Sequence, residues 1–201
     1  MQFGREGLEM EKRELIFESA REIFAVKGYK GASISDIAQK AGLAVGTFYI
    51  YFESKDRLFV EIFKQETEEL MKQIMSSLDV EEEPMKLIRK LLEENMKGML
   101  ANPILRQWYQ PEVFAKIEKI CNEDNVLGSM EFLYRDFHGL VQMWQADGRM
   151  RSDISSEMIM AIFGAIIRIG YHKEEIGLKY FPELQDRLTE FVLEGLSVKD
   201  R

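Results

Sequence analysis

The conformation of residues 46–55, GTFYIYFESK, distinguishes between a strand-containing and an all-helical fold for this chain. The five central residues of this stretch, FYIYF at positions 48–52, have high β-propensity and, taken alone, predict a strand. A single five-residue strand is not stable without a partner strand, and no second strand-like segment occurs in the sequence. On a helix, Phe48 and Phe52 are four residues apart and share one face, which would be the core side. The segment is therefore predicted to be a short helix with outward tyrosines.

The residues before this segment predict two amphipathic helices. Residues 11–27 carry apolar side chains at helical spacing, and Gly28 follows them as a stop signal. Ser33, with Asp36 three residues later, has the pattern of a capping box. This pattern predicts a second helix from about residue 34 to residue 41.

The order of these elements is that of a helix-turn-helix. Gly42 lies in the turn between the second and third helices, where a residue without a Cβ adopts a positive φ at no steric cost. We therefore predict a helix-turn-helix over about residues 33–52, within an N-terminal domain of residues 1–57. Helical periodicity continues through residues 58–201, so the whole chain is predicted to be all-α, with about nine helices in two domains.

Composition limits the class of protein. The 201 residues are 46% hydrophobic, which is enough for a substantial core. The single cysteine, Cys121, allows neither an internal disulfide nor a zinc site built from thiolates, and it fits a reducing cytoplasm, where we expect the protein to act. The longest apolar run, residues 158–167, is half of the roughly 20 residues that a membrane span needs, so no membrane partner is expected.

The charge is distributed unevenly along the chain. The net charge is −8, yet residues 1–57 hold 9 basic and 9 acidic side chains and are neutral overall. The remaining 18 basic and 26 acidic side chains lie in residues 58–201. A neutral N-terminal domain can approach a DNA backbone if its acidic groups lie on the far side.

Two features near the third helix suit a nucleic-acid backbone. Outward tyrosines can pack on a sugar and donate a hydroxyl hydrogen bond to a phosphate oxygen, which positions a recognition helix without reading sequence. Lys55 begins the fourth helix, and the exposed N–H groups of a helix N-terminus also bind phosphate.

The segment closely resembles the N-terminal DNA-binding domain of the tetracycline-repressor (TetR) family. The matching positions are Gly28-Tyr29, Ser33, Ile37-Ala38, Ala41-Gly42, Gly46-Thr47, Tyr49-Ile50-Tyr51-Phe52 and Ser54-Lys55-Asp56-Arg57-Leu58. The resemblance covers about residues 11–63. It implies a ligand-responsive transcriptional regulator that binds a double-stranded DNA operator as a homodimer, most often as a repressor that a small molecule releases.

The resemblance also implies which residues contact DNA. Phosphate contacts are implied for Ser33, Thr47, Tyr49, Tyr51 and Lys55, and proximity to the bases for Ala44, Val45 and Gly46. Many members of the family carry hydrogen-bonding side chains where this chain has Ala44 and Val45. Because these two residues can only touch thymine methyl groups or respond to DNA shape, we expect modest direct readout.

In the family, the C-terminal helices form a dimer interface, and two apolar stripes of this chain could build one. One stripe contains Ile159, Ile162, Phe163 and Ile166, and the other contains Leu184, Leu188, Phe191 and Val192. Two such helices from each subunit would form a four-helix bundle and hold the recognition helices about 34–36 Å apart, the spacing of successive major grooves. The alternative is that both stripes pack inside the monomer.

The family's C-terminal helices also enclose a ligand cavity, and aromatic residues are dense in this part of the chain. Candidate lining residues are Trp108, Tyr109, Phe137, Trp144 and Phe163, with Arg168 and His172 as candidate polar anchors. An aromatic and aliphatic lining would suit an apolar or aromatic effector, although such residues at helical spacing also form ordinary cores. Effector binding would then move the fourth helix and shift the paired recognition helices off their groove spacing.

Two other classes of protein compete with this interpretation. An enzyme is not predicted, because Asp136 and His138 point to different sides of a helix and no local face combines Cys121, His138 or His172. The sequence also lacks a glycine-rich phosphate loop and the HExxH and GxSxG motifs, and it implies no cofactor. A helical module that binds small molecules or protein without DNA function stays open.

Overall fold

The computed structural model describes residues 3–123, 131–169, 173–180 and 183–198, with side chains throughout except at 3–9, 122, 131–136, 167–168, 173–174 and 178. Within these ranges the chain is helical and has no strand. The α-helices are α1 (Phe3–Gly31), α2 (Ile34–Lys40), α3 (Val45–Tyr51), α4 (Lys55–Ser76), α5 (Pro84–Ala101), α6 (Pro111–Glu123), α7 (Glu131–Ala146), α8 (Ser156–Ile169), α9 (Lys173–Ile176) and α10 (Glu183–Leu196). Two 3₁₀ helices span Leu105–Tyr109 and Leu178–Tyr180. The all-α prediction is confirmed.

The FYIYF segment, residues 48–52, lies in a helix and its C-cap. Residues 45–51 form α3, and Phe52 follows as its C-cap with an extended backbone. Phe48 is fully buried and Phe52 is 5% exposed, with ring centroids 5.9 Å apart. Burial of the two rings on one face therefore overrides the β-propensity of the segment.

The described residues divide into two compact units. The N-terminal unit contains residues 3–76 and 93–123, and the C-terminal unit contains residues 77–92, 131–169, 173–180 and 183–198. The boundary at residue 57 stays a prediction. The helix-turn-helix shares one hydrophobic core with α4, the first 3₁₀ helix and α6.

The N-terminal unit is built around α1 and α4. Helix α1 is interrupted at Gly28, whose backbone is non-helical with φ 70° and ψ 169°, as expected of the predicted stop signal. Phe24, Tyr29 and Phe59 meet next to this interruption, with the Phe59 ring centroid 5.0 Å from each of the other two. This cluster fixes the point at which the chain leaves α1 for α2.

The C-terminal unit is formed mainly by α7, α8 and α10. Val141, Trp144, Ile159 and Leu193 are fully buried in it. The burial of Ile159 corrects one sequence prediction. With its side chain enclosed within a single chain, Ile159 has no surface to offer to a dimer partner.

None of the described helices combines the length and apolar character required to cross a lipid bilayer.

Candidate nucleic-acid interface

Helix α3 presents an exposed face opposite the buried ring of Phe48. Ala44 and Gly46 are exposed, and the exposed fractions are 44% for Val45, 58% for Tyr49 and 74% for Ile50. We call these five residues the α3 face. The exposed apolar side chains of this face are not stabilised by burial in the folded chain. Exposed apolar patches of this kind are typical of a surface that binds another molecule.

Ile50 was assigned no DNA contact from the sequence. Its signal was present in the quoted stretch, because on a helix that buries Phe48 the residue two positions later must lie on the opposite side. Ile50 is more exposed than either Val45 or Tyr49. It can contact thymine methyl groups but cannot hydrogen-bond a base edge.

The turn before α3 sets its direction. Gly42 has φ 68°, the left-handed conformation predicted for this position. Leu43 N–H donates to the Ala38 carbonyl at 2.9 Å, and Ala38 itself is only 2% exposed. These short contacts fix α3 against α2, so the α3 face projects from a rigid support.

Ser33 forms the predicted capping box of α2. Its hydroxyl accepts from Asp36 N–H at 3.0 Å and donates to the Asp36 carboxylate at 2.7 Å, while Ser33 N–H donates to the same carboxylate at 3.1 Å. Lys27 lies 2.8 Å from Asp36. Ser33 thus positions α2, and a direct phosphate contact by its hydroxyl stays a prediction.

The capping box makes stability depend on pH. Hydrogen bonds from Lys27 and Ser33 lower the pKa of Asp36 from 3.8 to about 2. Because the folded-state pKa is below the unfolded one, the contribution of Asp36 is complete above the unfolded value and is lost as pH falls through about 2. An Asp36→Asn variant should be less stable than wild type at neutral pH, and urea unfolding should show the difference shrinking with acidification. A difference that grows in acid would contradict this assignment.

Lys55 has a structural role that the sequence did not reveal. Its Nζ donates to the Tyr29 and Ala32 carbonyls, both at 2.9 Å, and lies 4.3 Å from the centroid of the Tyr29 ring. Burial lowers the pKa of Lys55. Its ammonium therefore secures the segment between α1 and α2, and a contact with phosphate stays a prediction.

The other predicted phosphate residues lie beside the α3 face. Thr47 and Tyr51 are half-buried, and the Tyr51 ring packs against the core of the N-terminal unit. Tyr49 rests edge-on against Phe48, with ring centroids 5.4 Å apart. An aromatic side chain supported in this way keeps little rotamer freedom, so less conformational entropy is lost when it is immobilised on DNA.

The predicted effector residues fall into the two units. In the N-terminal unit, Trp108 stacks on Phe63 and meets Phe114 edge-on, with ring centroids at 5.5 and 4.7 Å, while Tyr109 is 44% exposed. His172 and the side chain of Arg168 lie outside the described residues. Two open depressions of the described surface are lined mainly by charged side chains, not by these rings.

Three of the predicted effector residues come together in the C-terminal unit. Phe137 lies edge-on to both Trp144 and Phe163, with ring centroids at 6.3 and 5.5 Å. Trp144 is fully buried, and its Nε1–H has no hydrogen-bond partner among the described residues. An unpaired buried donor costs free energy, so this indole is a candidate to bind a ligand's acceptor.

The predicted interface residues other than Ile159 retain accessible surface. Ile162, Phe163, Ile166, Leu184, Leu188 and Val192 are half-buried, and Phe191 is 64% exposed. Met158 on α8, which was not predicted, is 56% exposed. Helices α8 and α10 pack against each other, and each leaves a large apolar side chain exposed, Met158 on α8 and Phe191 on α10.

Comparisons with known proteins match the helix-turn-helix. The family model described as "Bacterial regulatory proteins, tetR family" matches residues 16–62. The chain is 33% identical over 129 residues to the uncharacterized HTH-type transcriptional regulator YvdT of Bacillus subtilis, which covers 56% of this chain and 66% of that protein. Matches to two further Bacillus subtilis regulators cover 28% and 27% of their lengths. The chain thus spans less than two thirds of the length of these curated relatives.

Solved structures share the fold over nearly the whole chain. RolR in complex with resorcinol is 16% identical with a TM-score of 0.66, and the match covers 96% of this chain and 91% of RolR. FadR from Bacillus subtilis in complex with stearoyl-CoA is 17% identical with a TM-score of 0.57, and the match covers 91% of this chain and 98% of FadR. At these identities the likeness establishes the fold alone.

Proposed function

Because the chain belongs to the TetR family of bacterial regulatory proteins, we propose that it is a DNA-binding transcriptional regulator, a cytoplasmic homodimer that represses until a small molecule releases it. The observation that carries the proposal is the α3 face, where Tyr49 and Ile50 are exposed on a helix anchored by the buried Phe48. Repression is the usual activity in this family. The curated relatives are named as transcriptional regulators, so an enzymatic role has no support.

The α3 face would enter the major groove. Ala44, Val45 and Ile50 would contact base edges through apolar atoms, while the Tyr49 and Tyr51 hydroxyls would donate to phosphates. Three cations of the N-terminal unit, Lys27, Lys40 and Arg57, are each within 2.8 Å of a carboxylate. Phosphate binding would therefore depend on the tyrosines and on backbone N–H groups more than on free cations.

A direct test is selection of a duplex from a randomised pool by the full-length protein, followed by a titration monitored by fluorescence anisotropy. Under the proposal, the selected duplex carries two related half-sites and binds more tightly than a scrambled duplex of equal composition. A protein that enriches no sequence, and binds both duplexes equally, would instead support the alternative, a helical module without DNA function.

Ile50 gives the sharpest single-residue prediction for this surface. Ile50→Ala should weaken binding to the selected duplex about tenfold, since apolar contact worth about 1.4 kcal/mol is lost. The loss should be largest at duplexes with thymine in the contacted positions and smaller at duplexes in which uracil replaces thymine and so removes its methyl group. Anisotropy titrations against both duplexes measure the difference.

Tyr51→Phe is the matched comparison, because it removes only a hydroxyl. It should weaken binding to all duplexes by a similar factor, since a phosphate contact carries no sequence information. The assignment would be contradicted if Tyr51→Phe weakened binding selectively at one base pair, or if Ile50→Ala weakened binding to all duplexes equally.

We place the dimer interface on the outer faces of α8 and α10. The support is the 64% exposure of Phe191 on α10, together with Ile162 on α8 and Leu188 and Val192 on α10, which are only half-buried in the single chain. A symmetric pairing would cover these side chains in both subunits, because each subunit presents the same residues to its partner. The pairing would also provide the two recognition helices that a palindromic operator requires.

We place the effector site in the C-terminal unit, beside the cluster of Phe137, Trp144 and Phe163. The rings suit an apolar or aromatic molecule, and Trp144 Nε1–H would donate to one acceptor on it. Resorcinol and stearoyl-CoA, bound by two proteins of the same fold, are reasonable first compounds to test. A true effector should weaken operator binding by a factor worth about 1–3 kcal/mol, and the operator should weaken effector binding by the same factor.

A further inference from the structure

The amide side chain of Gln107 lies at the interruption of α1. Gln107 is in the first 3₁₀ helix and is only 3% exposed. Its Oε1 accepts from Tyr29 N–H at 2.5 Å, and its Nε2 donates to the Phe24 carbonyl at 3.3 Å and to the Pro103 carbonyl at 3.0 Å. One buried side chain thus bonds to the main chain on both sides of Gly28.

The segment that Gln107 holds leads directly into the helix-turn-helix. Ala32, three residues after Tyr29, is 4% exposed, and the next residue, Ser33, is the N-cap of α2. Ala32 N–H donates to the Gly28 carbonyl at 3.2 Å, so the turn is closed between the interruption and the cap. Any displacement of Tyr29 would therefore move the start of α2, and α3 with it.

Tyr29 is also bound through its side chain. Its hydroxyl donates to one oxygen of Asp56 at the start of α4, and Lys116 of α6 donates to the other oxygen at 2.6 Å. The Lys116 ammonium lies 5.3 Å from the centroid of the Tyr29 ring. Gln107 thus binds the backbone of Tyr29 and Asp56 binds its phenol, and both residues are distant from Tyr29 in the sequence.

The 3₁₀ helix that carries Gln107 is itself anchored to α1 and α4. Asn102 Oδ1 accepts from Ile104 N–H at 2.8 Å and from Leu105 N–H at 3.2 Å. Asn102 Nδ2 donates to Glu66 at 2.5 Å, and Arg21 donates to the same carboxylate group at 3.1 Å. Gln107 is therefore presented from a fixed support, and a change at the end of α5 would move its amide.

We propose that Gln107 is a positioning residue for DNA binding, whose buried amide holds the Gly28–Tyr29 junction in the arrangement that aligns α2 and α3 with the operator. The inference rests on the proposed function and names a residue outside the helix-turn-helix that controls it. Helix α5 ends at Ala101, directly before Asn102. A displacement of the end of α5 would thus reach the DNA-binding helices through Asn102 and Gln107.

Gln107→Met tests the proposal in the full-length chain, because it keeps the length of the side chain and removes all three hydrogen bonds. The probe is the duplex that the wild-type protein selects from the randomised pool. We expect Gln107→Met to bind it about tenfold more weakly at a temperature where the variant is fully folded, because a partly released junction no longer fixes α2 and α3. The matched control is Gln110→Met, the same chemical change at an exposed position three residues away, which should bind like wild type.

Amide hydrogen exchange separates positioning from a purely structural role. In the Gln107→Met variant, exchange at Tyr29 and through α2 and α3 should accelerate more than exchange in α10. In the wild-type protein, addition of the selected duplex should slow exchange at Tyr29 as well as in α3. This second measurement tests the inference even if Gln107→Met does not fold.

The outcomes are distinguishable. If the wild-type protein selects no duplex, the proposed function fails and the inference fails with it. If wild type binds its duplex but the folded Gln107→Met variant binds equally well, only the inference is overturned. It is likewise overturned if DNA protects α3 and leaves exchange at Tyr29 unchanged.

Discussion

Replacing Phe48 by alanine is expected to lower the free energy of unfolding by about 3–5 kcal/mol and to abolish operator binding. Phe48 is fully buried and touches both Tyr49 and Phe52, with ring centroids at 5.4 and 5.9 Å. Helix α3 has only seven residues, too few to be stable as an isolated helix. Its helical conformation therefore depends on the buried Phe48 ring, and we expect the FYIYF segment to unfold locally when this ring is removed.

The loss should be measurable by urea unfolding of the full-length protein and by hydrogen exchange in α2 and α3. Ile50→Ala is the internal control, two residues away and 74% exposed, and it should change stability by no more than about 0.5 kcal/mol. If Phe48→Ala cost less than about 1 kcal/mol, the ring would not be the anchor of α3 and the orientation of the α3 face would have to be reassigned.

Replacing Phe191 by aspartate is expected to dissociate the proposed homodimer. In a symmetric interface each copy of the substitution buries a carboxylate against apolar partner surface, so the penalty occurs twice. Phe191 is 64% exposed in the single chain, so the change should leave the fold of the monomer intact. We expect the dimer dissociation constant to rise at least about 100-fold, with a comparable loss of operator affinity, because one recognition helix reaches only one half-site.

Sedimentation velocity at several protein concentrations, together with anisotropy titrations, would check this prediction. Val80→Asp is the matched control, since it places the same charge at a 41% exposed apolar position in the loop between α4 and α5. A Phe191→Asp protein that remains dimeric at the concentration where wild type is dimeric would move the interface away from α8 and α10.

The local rules of the sequence were sufficient for the helix-turn-helix. The Gly28 interruption, the Ser33–Asp36 capping box and the positive φ of Gly42 all depend on residues within a few positions of one another. Such short-range preferences are readable from sequence because the interacting groups are neighbours along the chain. The helical conformation of residues 45–51 was predicted from the four-residue spacing of Phe48 and Phe52 together with the lack of a second strand-like segment.

Contacts between distant residues could not be read in this way. Gln107 is 78 positions from Tyr29, and Lys116 is 60 positions from Asp56, so no periodicity connects them. Lys55 illustrates the same limit: its place at a helix start suggested phosphate binding, yet its ammonium bonds to the carbonyls of residues 26 and 23 positions earlier. Ile159 has the right spacing for an interface stripe, but the inner face of α8 buries it completely.

Sequence information alone was sufficient to predict that the chain is helical, that α2 begins after Ser33, and which side of α3 faces the core, although α1 begins at Phe3 and not at residue 11. These properties follow from hydrophobic periodicity and from capping and turn residues close in the chain. The three-dimensional packing was needed to identify which side chains are enclosed inside the monomer and which remain available to DNA or a partner. That choice depends on packing and on hydrogen bonds between residues far apart in the sequence, which set the free energy of burial at each position.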